Sequence, residues 1–269
     1  MPLPEPDMAG PLPSPPQRLR FLDTWVDAMT VSTFLDEVGA VAHEHGELLV
    51  ANHNVNSLVL LQRSQLFRDF YERPNLIFID GTAVVALARL LGEPARLEHR
   101  IAVLDWFWPL CARAEGEGWH LVHLGGTPEV LARACEKVRD RHPALSFTAL
   151  HGYFDPHSAA ENGRVLEQLR DARPTVLLVG MGMPRQELWL YENAALLPRT
   201  VVITVGGILS FIGDDRPTPP RWLGRLGLEW LFRVVTEPRR LWRRYLVEPF
   251  VLVPIVAGEA RKRRSRAAR

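Results

Sequence analysis

The chain has 269 residues, of which 47% are hydrophobic, so it is long enough to bury a full core in one domain plus an appendage. Its formal net charge is +1, and its two cysteines, Cys111 and Cys135, form no closely spaced pair, which favours structural thiols over a disulfide framework or a metal site. No signal peptide is visible and no apolar run is long enough to span a membrane, so we expect an intracellular protein whose membrane contact is peripheral.

The pattern along the chain predicts one α/β body between two atypical ends. Seven prolines within residues 1–17 predict a disordered leader. Short apolar runs then predict strands at 48–51, 76–79, 120–124, 147–150, 175–179 and 201–205. Amphipathic segments predict helices at 33–45, 56–71, 82–92, 105–117, 128–141, 158–172 and 185–195. This alternation is typical of a Rossmann-like fold over residues 18–215, with a mostly parallel sheet covered by helices on both faces.

The last fifth of the chain differs sharply in charge from the rest. Residues 216–269 carry 14 Lys/Arg and 4 Asp/Glu, whereas residues 1–215 carry 18 and 27. Arginines interleaved with Trp, Phe and Leu over 226–245 predict amphipathic helices that lie on lipid head groups or another phosphate. The alternative is a solvated basic helix packed on its own domain. We therefore divide this part into a helical appendage, 216–257, and a basic tail, 258–269, and we expect the acidic body to stay folded without either.

Nucleic acid is the less favoured partner for this basic segment. The run at 261–264 is a short basic tail that follows an amphipathic segment, and such tails more often meet anionic lipid. We expect an anionic membrane surface as a partner, and no nucleic acid.

Polar residues and glycines follow several of the predicted strands. In an open α/β sheet, ligands bind outside the carboxyl ends of the strands, so these positions are the first candidates for a site. Asp80 follows four apolar residues and precedes a glycine that opens a helix. It is well placed as a general base, but it could equally cap that helix, and from the residues alone both interpretations stay open.

Two glycine-containing turns are weaker signals. Gly125 and Gly126 could present backbone N–H groups to a phosphate, although a tight strand-to-helix turn is the commoner reason for such a pair. The sequence from Gly180 to Gly182 begins a dinucleotide fingerprint, but Arg185 stands where its last glycine would fall, which disfavours a nicotinamide enzyme.

Nothing in the sequence predicts a metal site. The chain has no Asp-x-Asp motif, and no histidine or cysteine pair has the spacing of metal ligands. If a diphosphate is bound, arginines and backbone donors must neutralise it, so no metal cofactor is expected.

Six motifs recur in the order found in one known family. They are Ile79-Asp80-Gly81, the segment at Arg100, Gly152-Tyr153-Phe154, the block 180–187, Val205-Gly206-Gly207 and the block 226–233. Together they resemble the WecG/TagA/CpsF family of bacterial glycosyltransferases over about residues 20–248.

The resemblance implies an inverting, metal-independent glycosyltransferase of cell-envelope or exopolysaccharide biosynthesis. Such an enzyme moves N-acetylmannosamine or a related sugar from a UDP-sugar donor to a sugar on a polyprenyl diphosphate. This implies a cytoplasmic protein, peripheral on the inner face of the cytoplasmic membrane, and an arm that releases to bind membrane suggests a homo-oligomer in exchange with monomer.

The resemblance also assigns residues. Asp80 is implied as the base, the appendage arginines Arg233, Arg240 and Arg243 as catalytic support, and Arg100 and Gln186 as groups that face a diphosphate. The other substrate-binding positions are Asn52, Asn54, Gly125, Gly126, Gly182, Pro184, Glu187, Gly206 and Gly207.

The sequence departs from the family pattern at several of its motifs. Asn52 stands where the family usually has threonine, Val103 replaces a usual glycine, Ser210 replaces a common aspartate, and Thr218 begins the segment that is usually Arg-Ala-Pro. Ser210 and Thr218 motivate an alternative, a catalytically silent binding or scaffold member that holds a lipid-linked intermediate.

Overall fold

The computed structural model describes residues 16–218, 223 and 228–267, without the side chains of residues 229, 240, 244, 245, 266 and 267. The predicted leader, apart from residues 16 and 17, lies outside this description. So do the prolines at 219 and 220 and the first two residues of the block 226–233.

The body is built on a parallel sheet of six strands that follows a two-stranded hairpin. The sheet order is β4-β3-β8-β7-β5-β6, and every pair of neighbours in it is parallel. The strands are β1 (Gln17–Phe21), β2 (Thr24–Ala28), β3 (Leu48–His53), β4 (Leu76–Ile79), β5 (His120–Leu124), β6 (Ser146–Leu150), β7 (Val176–Val179) and β8 (Val201–Thr204).

Helices cover both faces of this sheet, which confirms the predicted fold class. They are α1 (Val31–His43), α2 (Val55–Arg63), α3 (Gln65–Tyr71), α4 (Thr82–Leu90), α5 (Val103–Glu117), α6 (Pro128–Arg141), α7 (Ala159–Ala172), α8 (Arg185–Asn193), α9 (Ile208–Ile212), α10 (Glu229–Thr236), α11 (Pro238–Leu246) and α12 (Leu252–Ala267).

The segment predicted as one helix over 56–71 is two helices, which corrects that prediction. Ser64 separates them with extended backbone, at φ −134° and ψ 120°, and its hydroxyl accepts a hydrogen bond from the N–H of Phe67. A serine that satisfies a first-turn N–H begins a new helix, because its side chain competes with the helical hydrogen bonds.

The hydrophobic core lies in two layers, one on each side of the sheet. Successive residues of a central strand supply alternate layers: Leu177 and Val179 face one, whereas Val176 and Leu178 face the other. Strands buried on both faces read as continuous apolar runs, which is why the sequence located all six of them.

The hairpin β1–β2 was not predicted. Leu19 and Phe21 point into the core, and the turn places Leu22 and Asp23 at positive φ without a glycine to announce it. The hairpin is tied to the sheet by the buried Asp27, whose Oδ2 accepts a hydrogen bond of 2.8 Å from the backbone N–H of Ile77.

The C-terminal helices return to the body. Leu252 and Val256 of α12 belong to the core. The carboxylate of Glu259 accepts a 2.8 Å hydrogen bond from the backbone N–H of Leu22, and Arg263 lies 2.7 Å from Glu93. The helix α12 also runs across residue 257, where the sequence suggested that the appendage ends and a separate tail begins.

Candidate active site

A cavity of about 420 Å³ opens at the carboxyl ends of the six parallel strands. The appendage closes one side of it, where α10 and α11 contribute side chains. The lining residues that matter for the chemistry are Asn52, Asn54, Asp80, His123, Gly126, Gly152, Tyr153, Gly182, Arg185, Gln186, Gly206, Gly207, Ser210, Arg216, Arg233 and Glu237.

Asp80 lies in this cavity as a half-buried carboxylate directly after β4. Its backbone N–H donates to the carbonyl of His53 at 2.9 Å, which continues the pairing of β4 with β3. The N-cap of α4 is Gly81, without a side-chain cap hydrogen bond, so Asp80 is not the residue that caps this helix. A carboxylate at this depth, open to the cavity, can take a proton from a bound hydroxyl group.

The side chain of Asn52 contacts Asp80. Its Nδ2 lies 3.4 Å from Oδ2 of Asp80, and its own Oδ1 accepts a 3.1 Å hydrogen bond from the hydroxyl of Thr204. The second predicted asparagine, Asn54, also lines the cavity but acts as the N-cap of α2, where it accepts from the N–H of Ser57.

Gln186 ties two glycine-containing loops together beneath the cavity. Its Oε1 accepts hydrogen bonds from the N–H groups of Gly182 and Gly206, at 3.2 and 3.1 Å, and its Nε2 donates to Oε1 of Glu187 at 2.7 Å. The side chains of Gln186 and Glu187 are fully buried. Gln186 therefore shapes the loops after β7 and β8, which carry backbone groups to the cavity.

The glycine turn after β5 exists because two backbones meet there. A Cβ on Gly125 would lie 2.4 Å from the carbonyl carbon of Gly180, and Gly125 has a φ of 154°. Gly126 lines the cavity beside it. Pro184, which is not one of the lining residues, follows a cis peptide bond and is the exposed N-cap of α8.

The predicted arginines differ in whether they line the cavity. Arg233 of α10 lines the cavity, with its guanidinium carbon 5.2 Å from the ring centre of Phe211. Arg243 is exposed on α11 and is not one of the lining residues, and the side chain of Arg240 lies outside the described residues. Arg100 lies beside the end of β4 and pairs with Asp105 at 3.2 Å, which holds it against the start of α5, outside the lining of the cavity.

Two lining arginines were not predicted as site residues. Arg216 lies 4.0 Å from Glu237 of the appendage, and Arg185 donates to the carbonyl of Phe154. The signal for Arg216 was its place at the start of the basic appendage. Arg185 lies inside the block 180–187 but was interpreted only as a break in a glycine fingerprint.

Two buried histidines lie close to the cavity. Burial lowers the pKa of His53 and of His123 to about 3, so both rings are neutral at physiological pH. His53 bonds to the hydroxyls of Thr24 and Ser57, each at 2.9 Å. His123 lines the cavity, and no described group lies within hydrogen-bonding distance of either of its ring nitrogens.

The described residues form neither a metal-binding cluster nor a membrane-spanning helix. No three His, Cys, Asp or Glu side chains in the described part of the chain lie close enough to hold a metal ion. Within the same residues, each helix is too short or too polar to cross a bilayer.

Fold and cavity define an α/β enzyme that binds its substrate at the carboxyl edge of a parallel sheet. The family model of the glycosyl transferase WecG/TagA/CpsF family matches residues 19–266. The chain therefore belongs to this family and is a glycosyltransferase.

Two named relatives indicate the chemistry of similar proteins. An N-acetylglucosaminyldiphosphoundecaprenol N-acetyl-beta-D-mannosaminyltransferase of Staphylococcus aureus (strain NCTC 8325 / PS 47) is 27% identical over 210 residues, which cover 74% of this chain and 80% of that protein. A protein of the same name from Bacillus spizizenii is 28% identical over 185 residues, which cover 69% of each chain.

Proposed function

We propose that this enzyme transfers N-acetylmannosamine or a closely related sugar from a UDP donor to N-acetylglucosamine on undecaprenyl diphosphate, with inversion, in cell-envelope polysaccharide biosynthesis. The names of the two relatives support the sugar and the acceptor. The observation that carries the proposal is that Asp80, from the body, and Arg216 and Arg233, from the C-terminal part of the chain, line one cavity.

The chemistry assigns one role to each kind of group. The acceptor hydroxyl oxygen attacks C1 of the donor sugar while its proton passes to the carboxylate of Asp80. The bond between C1 and the diphosphate oxygen breaks, and UDP leaves with the electron pair. The guanidinium groups of Arg216 and Arg233 stabilise the negative charge that develops on the departing diphosphate. A single displacement of this kind inverts the configuration at C1.

The test replaces the base and measures transfer to a synthetic undecaprenyl-diphosphate N-acetylglucosamine. We expect Asp80→Asn and Asp80→Ala to lose about 10²- to 10⁴-fold in kcat, because no carboxylate is then left to take the proton from the attacking hydroxyl group. Asp69→Asn is the matched control, since Asp69 on α3 bonds to the neighbouring Gln65 and does not line the cavity. Unchanged turnover in Asp80→Asn would contradict the mechanism.

The same assay decides the remaining parts of the proposal. Proton NMR of the product determines its anomeric configuration, and a panel of UDP-sugars determines the donor. We propose that transfer needs no divalent ion, so a chelator should leave the rate unchanged. Donor binding by the unaltered enzyme without any turnover would instead support the catalytically silent alternative.

We further propose that the enzyme works at the inner face of the cytoplasmic membrane through its appendage. Large apolar side chains are exposed along it, most of all Val235 at 69% and Phe250 at 70%. They stand beside exposed basic side chains, and this combination suits an anionic lipid surface. Within the described part of the appendage, the other large apolar side chains that are exposed are those of Trp230, Leu231, Trp242, Leu246, Val247 and Val253.

Vesicle sedimentation tests this membrane contact. We expect the unaltered protein to sediment with vesicles that contain phosphatidylglycerol and to stay in solution with pure phosphatidylcholine. Phe250→Asp combined with Val253→Asp should weaken binding at least tenfold, whereas Leu196→Asp, at a similarly exposed leucine of the body, should not. Equal binding of both variants would contradict the role of the appendage.

A further inference from the structure

Three side chains from neighbouring strands form a line that ends at the proposed base. β3 lies between β8 and β4 in the sheet, and each of these strands contributes one member at its carboxyl end. The hydroxyl of Thr204 on β8 donates to Oδ1 of Asn52 on β3 at 3.1 Å, and Nδ2 of Asn52 lies 3.4 Å from Oδ2 of Asp80 after β4.

The two ends of this line fix the orientation of the Asn52 amide. An asparagine amide has an accepting oxygen and a donating nitrogen, and rotation by half a turn exchanges them. Because an ionised carboxylate only accepts, the NH₂ group faces Asp80, and the hydroxyl of Thr204 holds the amide in this orientation by donating to its oxygen. An N–H group favours the ionised carboxylate and restrains its rotation, whereas the amide oxygen in the same place would repel it.

The surroundings of Asn52 hold it in place. The hydroxyl of Tyr71 donates to its backbone carbonyl at 2.8 Å, and the ring of Tyr71 stacks on His53 at 4.3 Å between ring centres. Thr204 has no exposed surface, and Asn52 is 4% exposed. The threonine hydroxyl therefore has a defined use in a site where an unused buried hydroxyl would be costly.

We propose that Thr204 is a positioning residue for catalysis, which acts through Asn52 to keep Asp80 ionised and correctly rotated toward the acceptor hydroxyl. This inference rests on the proposed role of Asp80 as the base. It also gives a function to Asn52, which stands where the family usually has threonine. A threonine there is shorter and would have to position Asp80 by other contacts.

A pH profile reports on this arrangement, so the charged and titratable groups around Asp80 matter. Burial raises the pKa of Tyr71 well above its ordinary value and lowers that of His53 to about 3, so neither changes charge between pH 4 and 9. Among the described residues, the other titratable or charged groups that line the cavity or adjoin Asp80 include His53, Tyr71, Arg100, Arg185, Arg216, Arg233 and Glu237.

The experiment compares Thr204→Val with Thr204→Ser and Thr200→Val over a range of pH. Thr204→Val keeps the shape but removes the hydroxyl, and we expect kcat to fall about tenfold and the acidic limb of kcat/KM to move up by about one pH unit. Thr204→Ser should restore both. Thr200→Val removes a buried hydroxyl just before the same strand, where it donates to the carbonyl of Thr175, and should leave the pH profile in place.

A double-variant cycle separates positioning from a purely structural role. If Thr204 acts through Asn52, Thr204→Val should add little to the effect of Asn52→Ala, because the intermediary is already gone. Additive losses, or an unshifted profile in folded Thr204→Val, would overturn the inference. If Thr204→Val does not fold, Thr204→Ala and Asn52→Ala provide the same comparison.

Failure of the proposed function can be distinguished from failure of the positioning role of Thr204. An active Asp80→Asn enzyme would overturn the proposed function itself. An inactive Asp80→Asn enzyme together with an unaltered pH profile in Thr204→Val would overturn only the positioning role.

Discussion

His123 is a buried residue whose polar atoms the fold leaves unused. Its ring lies on β5 against the loop after β7, where a Cβ on Gly180 would lie 2.4 Å from its Nε2. The glycine thus makes room for the ring, and no described group bonds to either ring nitrogen. An imidazole in this setting is costly to charge, which is why its pKa falls to about 3 from an ordinary value of 6.5.

This lowered pKa predicts how stability depends on pH. Because the unfolded chain binds a proton near pH 6.5 and the folded chain does so only near pH 3, the stabilisation is present above pH 6.5 and is lost as pH falls through that window. As pH falls from 7 to 5, we expect the free energy of unfolding of His123→Leu to decrease by about 2 kcal/mol less than that of the unaltered protein.

Urea unfolding at several pH values measures this difference. His151→Leu is the control, because His151 is exposed on the loop after β6. Parallel stability curves for His123→Leu and the unaltered protein would show that His123 is not neutral in the folded state.

At the scale of elements, the sequence predicted the central strands well because a strand buried on both faces is an unbroken apolar run. It also located Asp80, since a polar residue directly after such a run lies at the carboxyl edge. It could not predict that Thr204 bonds to Asn52, because the two are 152 residues apart and meet only through the order of the strands. The hairpin β1–β2 was missed since a five-residue strand and a Leu-Asp turn carry little local signal.

Gln186 shows how one side chain can join two elements. Its Oε1 accepts from the N–H groups of Gly182 and Gly206, which follow β7 and β8. We expect Gln186→Ala to cost about 1–3 kcal/mol of folding free energy and to raise the KM for the donor, because both loops lose their common acceptor. Thermal unfolding and donor kinetics measure the two effects.

Gln65→Ala provides the comparison for Gln186→Ala. Gln65 is an exposed glutamine on α3 that bonds to Asp69 and Arg68, so its removal should change stability by less than about 0.5 kcal/mol. A Gln186→Ala protein as stable and as active as Gln65→Ala would contradict the joining role.

At the scale of the whole molecule, the two ends of the described chain meet. α12 places Leu252 and Val256 in the core, and its Arg263 donates to the backbone carbonyls of Leu91 and Arg20. The cavity likewise combines strand ends of the body with side chains of α10 and α11. The steep division of charge along the sequence therefore does not correspond to two independent structures.

This arrangement changes the expected result of truncation. From the sequence, the body was expected to stay folded without residues 216–269. The structure instead predicts that deletion of residues 252–269 alone destabilises the body, because it exposes the core beneath Leu252 and Val256 and leaves the N–H of Leu22 without the carboxylate of Glu259. Burial of two such aliphatic side chains contributes about 3–6 kcal/mol, a large part of the 5–15 kcal/mol typical of a domain.

Thermal unfolding of three proteins tests this prediction. The deletion should lower Tm by about 6–24 °C, given about 2–4 °C for each kcal/mol in a chain of this size. Arg263→Ala should lower it by a smaller amount, since it removes the bonds to Glu93 and Glu259 but keeps the apolar contacts. Arg261→Ala, at an exposed position on the same helix, should leave Tm unchanged. A deletion variant with the Tm of the full chain would mean that α12 only rests on the body, and membrane binding would then be its main role.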